Sequence, residues 1–326
     1  MLSARIDTPA PAPDDGPMPE PESPLPLSVA IVCKSNEQTI GRTLDSVKGL
    51  AAEIVAVDSG STDSTIPMLE HAGARIVRSE WLGHIKTKQK ALELCTQPWV
   101  LSIDSDESVE PDLASSIRKA LTENDPAVVA CRVNRKVWYL GRFLNHAWQP
   151  ERRTRLVRRE LVPGKVRWGG VDPHDKLMVD PGAGRVLDLE GALRHDTIAD
   201  FASFLEAQVR LSRVSASSLR EAGRGSSAWK LMTSPPGAFL KQMVLKGAWR
   251  DGWRGWCAAG SAAAATLMKQ IILLDLQGRG SEGREGDGRG EPPPFPTDGC
   301  TTRDPGPKDS DSGPGKGDPG SPARSA

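Results

Sequence analysis

Two carboxylates separated by one residue follow an apolar run in the first half of the chain. The run Trp99–Asp104 (WVLSID) has the composition of a buried strand and leads into Asp104-Ser-Asp106, followed by Glu107. Carboxylate oxygens at this spacing suit a hard divalent cation such as Mg²⁺ or Mn²⁺, which would neutralise a diphosphate. A solvated acidic turn is the simpler interpretation of such a triplet, and its place directly after a buried strand favours the metal.

A second acidic strand end lies earlier in the chain. The run Glu53–Asp58 (EIVAVD) is followed by small residues around Gly60 and by Asp63. Gly60 permits a tight turn, and Asp63 is one of the residues that can cap the following helix. In open α/β sheets, ligands bind beyond the carboxyl ends of the strands, so both acidic ends are candidates for ligand contact. A strand–turn–helix junction without a ligand explains Asp58 equally well.

Apolar strands alternate with amphipathic helices in the part of the chain that carries these groups. In the first helix, Ile40, Leu44 and Val47 recur at helical spacing. The alternation predicts an α/β fold with a mostly parallel sheet and flanking helices. The predicted strands are Leu27–Cys33, Glu53–Asp58, Ala74–Arg78, Trp99–Asp104, Ala127–Val133 and Val186–Leu189, and the predicted helices are Thr39–Leu50, Ser64–His71, Lys86–Cys95 and one that begins at Pro111.

Composition divides the 326 residues into four parts. Proline and glycine are concentrated in residues 1–26 and 278–326, which lack the apolar content to fold and are predicted to be disordered tails. Between them we predict an α/β domain over residues 27–198 and a helical region over residues 199–277. The helical region begins with a long helix, Ala199–Glu221.

Charge and cysteine content narrow the classes of function. The 42 basic and 42 acidic residues leave no net charge, which argues against a nucleic-acid partner bound through bulk charge. The five cysteines are widely spaced with no CxxC pair, so we expect neither a disulfide framework nor a zinc site, and a reducing cytosol fits best. No secretory signal opens the chain, and no GxGxxG follows the first strand, which disfavours a dinucleotide oxidoreductase.

The helical region has the composition of a membrane-surface segment. Trp249, Trp253 and Trp256 recur at helical spacing, with Lys246, Arg250 and Arg254 on an adjacent face. The longest run without a charge, residues 255–268, is shorter than the roughly 20 apolar residues of a spanning helix. The pattern therefore favours an interfacial helix. A soluble helical hairpin packed on the α/β domain is the alternative.

Together these motifs resemble family-2 glycosyltransferases of the GT-A fold. The resemblance starts with LSVAIVCKSNEQTIGRTLDSV, EIVAVDSGSTDST and WVLSIDSDESVEP. It is closest to the lipopolysaccharide-core β-glucosyltransferase-like branch, through GHIKTKQKAL, LGRFLNHAWQPERRTRL, PHDKL, the pair His195-Asp196 and GAFLKQMVLKGAWRDGWRGW. It covers about residues 27–276, which the tails flank.

The resemblance implies a role for individual residues. The donor nucleotide-sugar would be bound by Lys34, Asp58, Lys88, Asp104 and Arg155, and a divalent cation, Mg²⁺ or Mn²⁺, by Asp104, Asp106 and His195. A solvated helix lysine is the plain alternative for Lys88, as a structural histidine is for His195. The basic cluster at residues 152–167 fits either a site for an anionic acceptor or donor diphosphate, or a solvated face that protects a strand edge. Arg155 is the member of this cluster that matches the family best.

The implied reaction is a single inverting displacement in which a carboxylate takes the proton of the acceptor hydroxyl. Asp175 is the first candidate for this base and Asp172 the second, while His174 is a candidate base, metal ligand or loop residue. The branch usually has Glu where this chain has Asp175, one methylene shorter. It also lacks the residue that Ser35 adds between Lys34 and Asn36.

The resemblance also implies the partners and the location. We expect a UDP-linked donor, with glucose as the sugar, and a glycan or glycolipid acceptor of the cell envelope such as lipopolysaccharide core. A cytoplasmic enzyme, held peripherally at the inner face of the cytoplasmic membrane, follows from these partners. Two alternatives stay open. One is a nucleotidyltransferase-like enzyme, although KSNEQ stands where a glycine-rich loop would be expected, and the other is a non-catalytic nucleotide-sugar-binding homologue.

Overall fold

The computed structural model describes residues 23–171, 174–198 and 200–282, all within one compact unit. The strands are β1 (Leu25–Cys33), β2 (Ala51–Asp58), β3 (Arg75–Arg78), β4 (Trp99–Asp104), β5 (Glu107–Val109), β6 (Val128–Tyr139), β7 (Arg142–Phe143), β8 (Arg152–Arg158), β9 (Val166–Val171), β10 (His174–Val179) and β11 (Arg185–His195). The α-helices are α1 (Glu37–Val47), α2 (Thr65–His71), α3 (His84–Leu94), α4 (Pro111–Glu123), α5 (Phe201–Glu221), α6 (Ala228–Leu240) and α7 (Trp253–Glu282).

The main sheet has the order β3-β2-β1-β4-β8-β6-β11-β5, with β7 paired to β6. The first four strands are parallel, whereas β8 is antiparallel to both of its neighbours and β5 is antiparallel to β11. The predicted α/β architecture with a largely parallel sheet is therefore confirmed. The chain crosses from β2 on one side of β1 to β4 on the other, which opens a crevice beyond the carboxyl ends of β1 and β4. Asp104 lies at that edge, paired in register with Val32.

Side chains of β1 alternate between two hydrophobic cores, one on each face of the sheet. Leu27, Val29 and Ile31 pack with the apolar stripes of α1 and α4, while Ala30 packs on the opposite face with α3. The hairpin β9–β10 covers this second face through Trp168, which is 5% exposed. Because β1 is buried on both faces, it has the continuous apolar sequence that predicted it.

Several elements are longer than the sequence pattern predicted. β6 continues to Tyr139 through charged residues, and β11 runs to His195, well beyond the predicted Leu189. The two extensions pair with each other, and β11 also pairs with β5. Hydrogen bonds between strands that are distant in sequence therefore keep these residues extended, although their local hydropathy does not predict a strand. α7 likewise continues through residues 278–282, which were assigned to a tail. Residues 1–22 and 283–326 of the predicted tails lie outside the described residues.

The C-terminal tryptophans do not share one helix. Trp249 lies in a 3₁₀ turn, Ala248–Asp251, and α7 begins only at Trp253. Gly252 separates them with a positive φ of 64°. The path of the backbone at this break requires glycine at position 255, because a Cβ there would lie 1.7 Å from the carbonyl oxygen of Ala248. The predicted continuous helical stripe is wrong, although all three tryptophans are more than half exposed.

α7 packs against α5 and α6 along its length. Within its stretch Trp253–Arg279, an 18-residue window has a mean hydropathy of 1.5, and the helix is long and apolar enough to cross a membrane, judged by length and composition alone. Only 22% of that window is buried in the protein. Its exposed apolar surface is compatible with either the predicted interfacial position or a span.

Asp251 joins the C-terminal helices to the sheet. Its carboxylate is 7% exposed and accepts hydrogen bonds from the backbone N–H groups of Asn145, His146 and Ala147 at 3.1, 2.9 and 2.8 Å. The His146 ring lies 3.0 Å away. Burial alone would raise the pKa of Asp251, but these hydrogen bonds outweigh burial and lower it.

We expect Asp251→Ala to lower the free energy of unfolding by about 3 kcal/mol at neutral pH, because three buried donors lose a charged acceptor. The lowered pKa makes this contribution fully present above the ordinary pKa of an aspartate and lost as the pH falls below roughly 4. Urea unfolding of both proteins at neutral and acidic pH measures the difference. Asp200→Ala, which removes an exposed helix cap from α5, is the control and should cost clearly less. An equally small loss for Asp251→Ala would contradict this role.

Candidate active site

Lys88 holds two carboxylates together at the crevice. Its Nζ lies 2.7 Å from Oδ1 of Asp104 and 2.8 Å from Oδ2 of Asp175. α3 positions the lysine, the end of β4 positions Asp104, and β10 positions Asp175. The lysine is 9% exposed and lies 4.8 Å from the ring centre of Trp168. It is therefore a buried bridging cation, not a solvated helix lysine.

A buried network of ion pairs holds Asp104 in position. Arg155 on β8 donates to Oδ2 of Asp104 at 3.1 Å and to Oε1 of Glu107 at 2.5 Å. Glu107 is fully buried, receives the backbone N–H of Asp104 at 3.0 Å, and lies 3.3 Å from Arg135. Burial acts to raise the pKa of Asp104, but the charges of Arg155 and Lys88 outweigh it and hold that pKa far below its usual range. The carboxylate therefore stays ionised.

Asp106 and His195 form a second pair. Oδ2 of Asp106 lies 3.2 Å from Nε2 of His195, which stands at the end of β11. Burial would raise the pKa of Asp106, yet the neighbouring imidazole lowers it, while the carboxylate raises the pKa of His195 against the opposing effect of burial. Nδ1 of His195 is buried without a hydrogen-bond partner among the described residues.

One cavity of about 400 Å³ brings most of the predicted residues together. Its lining includes Lys34, Lys88, Asp104, Asp106, Asp175 and His195. A second cavity of about 390 Å³ adjoins it, since Lys88, Asp104 and Asp175 also line the second one, together with Arg155. We call the first the strand-end cavity. It combines exposed Lys34 with carboxylates and imidazole, which is a set of groups suited to an anionic ligand and its counter-ion.

Asp58 stands apart from this set. It is 2% exposed and does not line the strand-end cavity. Its carboxylate accepts hydrogen bonds from the backbone N–H groups of Gly60 and Ser61, and from the Ser61 hydroxyl. The structure therefore gives Asp58 the task of holding its turn. The extra Ser35 has a positive φ of 52°, and its backbone N–H donates a hydrogen bond to the Ser61 hydroxyl at 2.8 Å.

The alternative candidates for the base are only partly visible. Asp172 lies outside the described residues, and His174 is described only as a backbone partner of Val171 in the β9–β10 hairpin. Asp175 is therefore the candidate whose side chain can be placed in the cavity.

The basic cluster around β8 disperses over the surface and the core. Arg158 stacks 4.5 Å from the ring of Trp99, Arg167 pairs with Asp180 at 2.8 Å, and Arg153 pairs with Glu151. Arg155 alone among them reaches Asp104.

Three residues next to the site are not among the residues predicted from the sequence. Glu107 directly follows the DxD triplet, and this position is a signal that could have identified it. Trp168 covers Lys88 and Arg155 with its ring, at 4.8 and 5.6 Å. Arg135 lies far along β6 and reaches Glu107 on β5 across β11, which pairs with both strands.

Comparisons with known proteins agree on one family. The model of Glycosyl transferase family 2 matches residues 28–170. The lipopolysaccharide core biosynthesis glycosyltransferase LpsC of Rhizobium meliloti is 32% identical over 252 residues, covering 74% of this chain and 89% of that protein. A glycosyltransferase of Rickettsia bellii is 38% identical over 254 residues, covering 76% and 86%. Among solved structures, the mannosyltransferase PcManGT of Pyrobaculum calidifontis with GDP-Man and Mn²⁺ is similar over 81% of this chain and 82% of its own, at a TM-score of 0.42 and 17% identity.

Proposed function

This chain belongs to glycosyl transferase family 2 and is a glycosyltransferase, and on that premise we propose that it transfers glucose from UDP-glucose to lipopolysaccharide core. The similarity to LpsC supports the acceptor, and the resemblance of the sequence to the core β-glucosyltransferase branch supports the donor. The observation that carries the proposal is the strand-end cavity, where Lys88 holds Asp104 of the DxD and Asp175 within 2.8 Å of one ammonium group.

The proposed reaction is an inverting displacement. Asp175 accepts the proton of the acceptor hydroxyl, whose oxygen forms a bond to the anomeric carbon as the bond from that carbon to the diphosphate oxygen breaks. The nucleoside diphosphate leaves with the electron pair of that bond. Lys88 positions Asp175 next to the donor site, and Lys34 and Lys88 supply positive charge where the leaving group develops its negative charge.

The donor set fits a divalent cation. Asp104, Asp106 and His195 line the same cavity and offer the oxygen and imidazole ligands that Mg²⁺ or Mn²⁺ accepts. In the described residues no three such side chains converge, because Asp104 bonds Lys88 and Arg155 while Asp106 bonds His195. The proposed ligands would exchange these partners for the metal. The cation would neutralise the diphosphate leaving group.

We expect Asp106→Ala to weaken Mn²⁺-dependent binding of UDP by at least about tenfold. Loss of one carboxylate leaves the cation with fewer charged ligands, whereas the folding of the sheet does not require the Asp106 side chain. Calorimetric titration of UDP, with and without Mn²⁺, measures the change. Asp188→Ala, which removes an exposed carboxylate from β11, is the control and should bind as the unaltered protein does.

The outcomes of this titration separate the proposal from its alternatives. Binding that needs Mn²⁺ and is lost only in Asp106→Ala supports the nucleotide-sugar site. Failure of the unaltered protein to bind UDP under either condition would overturn the choice of donor and favour a non-catalytic homologue or another nucleotide. Tight UDP binding in Asp106→Ala would remove the DxD assignment.

We also propose that the C-terminal helices place the enzyme on an anionic membrane surface. A patch of exposed apolar side chains surrounds the end of α6 and the start of α7. Its members are Leu240, Val244, Leu245, Trp249, Trp253 and Trp256, each between 53% and 79% exposed. Arg250 and Arg254 stack on the first two tryptophans, at 5.2 and 4.7 Å. Exposed aromatics beside cations are typical of an interfacial anchor.

Val244→Glu combined with Leu245→Glu is expected to reduce binding to vesicles that contain anionic lipid by at least about tenfold, since two exposed apolar side chains that would insert into the membrane become carboxylates that the lipid repels. Co-sedimentation measures the bound fraction. Val214→Glu combined with Leu205→Glu on α5 introduces the same charges at other exposed positions and should change it little. Equal loss in both variants would contradict a specific patch. Resistance of bound protein to a carbonate wash would show that α7 spans the bilayer.

A further inference from the structure

A cleft of about 630 Å³ separates the sheet from the C-terminal helices. We call it the lysine cleft, because Lys241, Lys246 and Lys269 line its helical wall, opposite Arg153 and Glu151 on the sheet. It meets the strand-end cavity at His195 and Leu211, which line both. A molecule in the lysine cleft would therefore reach the edge of the proposed reaction site.

The cations of the two walls differ in their partners. On the sheet, Arg135 and Arg153 both pair with Glu151, at 2.6 and 2.7 Å. Burial acts to raise the pKa of Glu151, but the two arginines outweigh burial and lower it. Within the described residues, no acidic side chain pairs with Lys241, Lys246 or Lys269, and no hydrogen bond engages their ammonium groups. Glu151 is the one carboxylate among the described lining residues, so the cleft carries excess positive charge.

Three lysines without an acidic partner among the described residues line this one concave site. Lys246 and Lys269 are only partly exposed, so each is partly removed from water without a compensating partner. An anionic ligand would supply that partner, and a lysine binds phosphate or carboxylate as a point charge. The volume matches that of sites for small molecules rather than that of an ion alone.

We propose that the lysine cleft is the acceptor subsite and that it selects a sugar carrying a phosphate or carboxylate group. This inference rests on the proposed glycosyltransfer, because the donor is assigned to the strand-end cavity and the acceptor must approach Asp175 from outside it. The segment Lys241–Leu245 also exposes Val244 and Leu245 at the proposed membrane surface. The cleft therefore begins where the head group of a membrane-bound glycolipid would lie.

The test uses the full-length protein, saturated with UDP and Mg²⁺ so that the donor site is filled. Lysines are reductively methylated with ¹³C, and the signals of Lys246 and Lys269 are assigned from single Lys→Arg variants. Glucose 6-phosphate, glucuronate and glucose are then titrated to about 20 mM, a range that detects weak binding. We expect at least one anionic sugar to shift both signals in a saturable manner, and glucose to leave them unchanged.

A matched pair of variants completes the test. Lys246→Gln combined with Lys269→Gln should weaken binding of the anionic sugar, followed at Lys241, by about tenfold or more. Lys48→Gln combined with Lys119→Gln removes the same charge from exposed positions outside the cleft and should not weaken it. Equal shifts with glucose, no shift with either anionic sugar, or equal effects of both variants would overturn the proposal. UDP affinity of the unaltered protein is measured in parallel. If the protein does not bind UDP, the glycosyltransfer proposal itself has failed. If it binds UDP but the sugar titrations fail, only the assignment of the cleft has failed.

Discussion

Replacing Asp175 with Asn is expected to slow sugar transfer by about 10²–10⁴-fold while UDP affinity stays nearly constant. The amide keeps the shape of the side chain and can still contact Lys88, but it cannot take a proton from the acceptor. Asp175 is the candidate base whose carboxylate lies in the strand-end cavity, 2.8 Å from the ammonium group that also holds Asp104. A steady-state assay with radiolabelled UDP-glucose and truncated lipopolysaccharide, together with UDP calorimetry, separates catalysis from donor binding.

The control for this variant is Asp180→Asn, just beyond the same hairpin. Asp180 is exposed and pairs with Arg167 at 2.8 Å, so its loss tests the hairpin without touching the cavity. Full activity in Asp175→Asn would move the role of base to Asp172, which Asp172→Asn then tests. A parallel loss of UDP affinity would indicate that Asp175 serves the donor site through Lys88.

Much of the site could be predicted because its residues stand at the ends of strands with strong local patterns. Asp104 follows a continuous apolar run, and Lys34 follows another, so the rule for the carboxyl ends of parallel strands places both at one edge. The resemblance, not the pattern, singled out Arg155 and Asp175. Their contacts with Asp104 and Lys88 agree with that choice.

The remaining features depend on distant pairing, which a linear pattern does not contain. Arg135 on β6 reaches Glu107 on β5 because β11 pairs with both strands in the sheet, although twenty-eight positions separate the two residues along the chain. Asp58 has the strand-end position that the pattern indicates, and the hydrogen bonds from its own turn are visible only in the structure, while its contact with the donor stays a prediction. The tryptophan spacing predicted one helix, which is interrupted at Gly252, where Gly255 and Ala248 approach closely. Local periodicity is overridden where close tertiary packing decides the backbone.

Glu107→Gln is expected to produce the largest loss of stability, about 3–5 kcal/mol in the free energy of unfolding. Glu107 is fully buried and receives Arg155 at 2.5 Å and Arg135 at 3.3 Å. Without its charge, two arginines in the interior share the remaining carboxylates. Removing one partner of a buried ion network leaves uncompensated charge, which costs more than the network contributes as a whole.

Urea unfolding compares Glu107→Gln with Glu123→Gln, where an exposed carboxylate makes only a 4.0 Å contact with Lys119 and should contribute less than about 0.5 kcal/mol. Glu107→Met combined with Arg155→Met should recover part of the loss, because apolar side chains replace both members of one buried pair. Such recovery would show that the uncompensated charge, and not a lost shape, causes the instability. A loss below about 1 kcal/mol in Glu107→Gln would mean that Asp104 and Glu151 neutralise the arginines without it. The DxD would then be held by β4 and Lys88, and Glu107 would have no part in keeping Asp104 at the edge of the sheet.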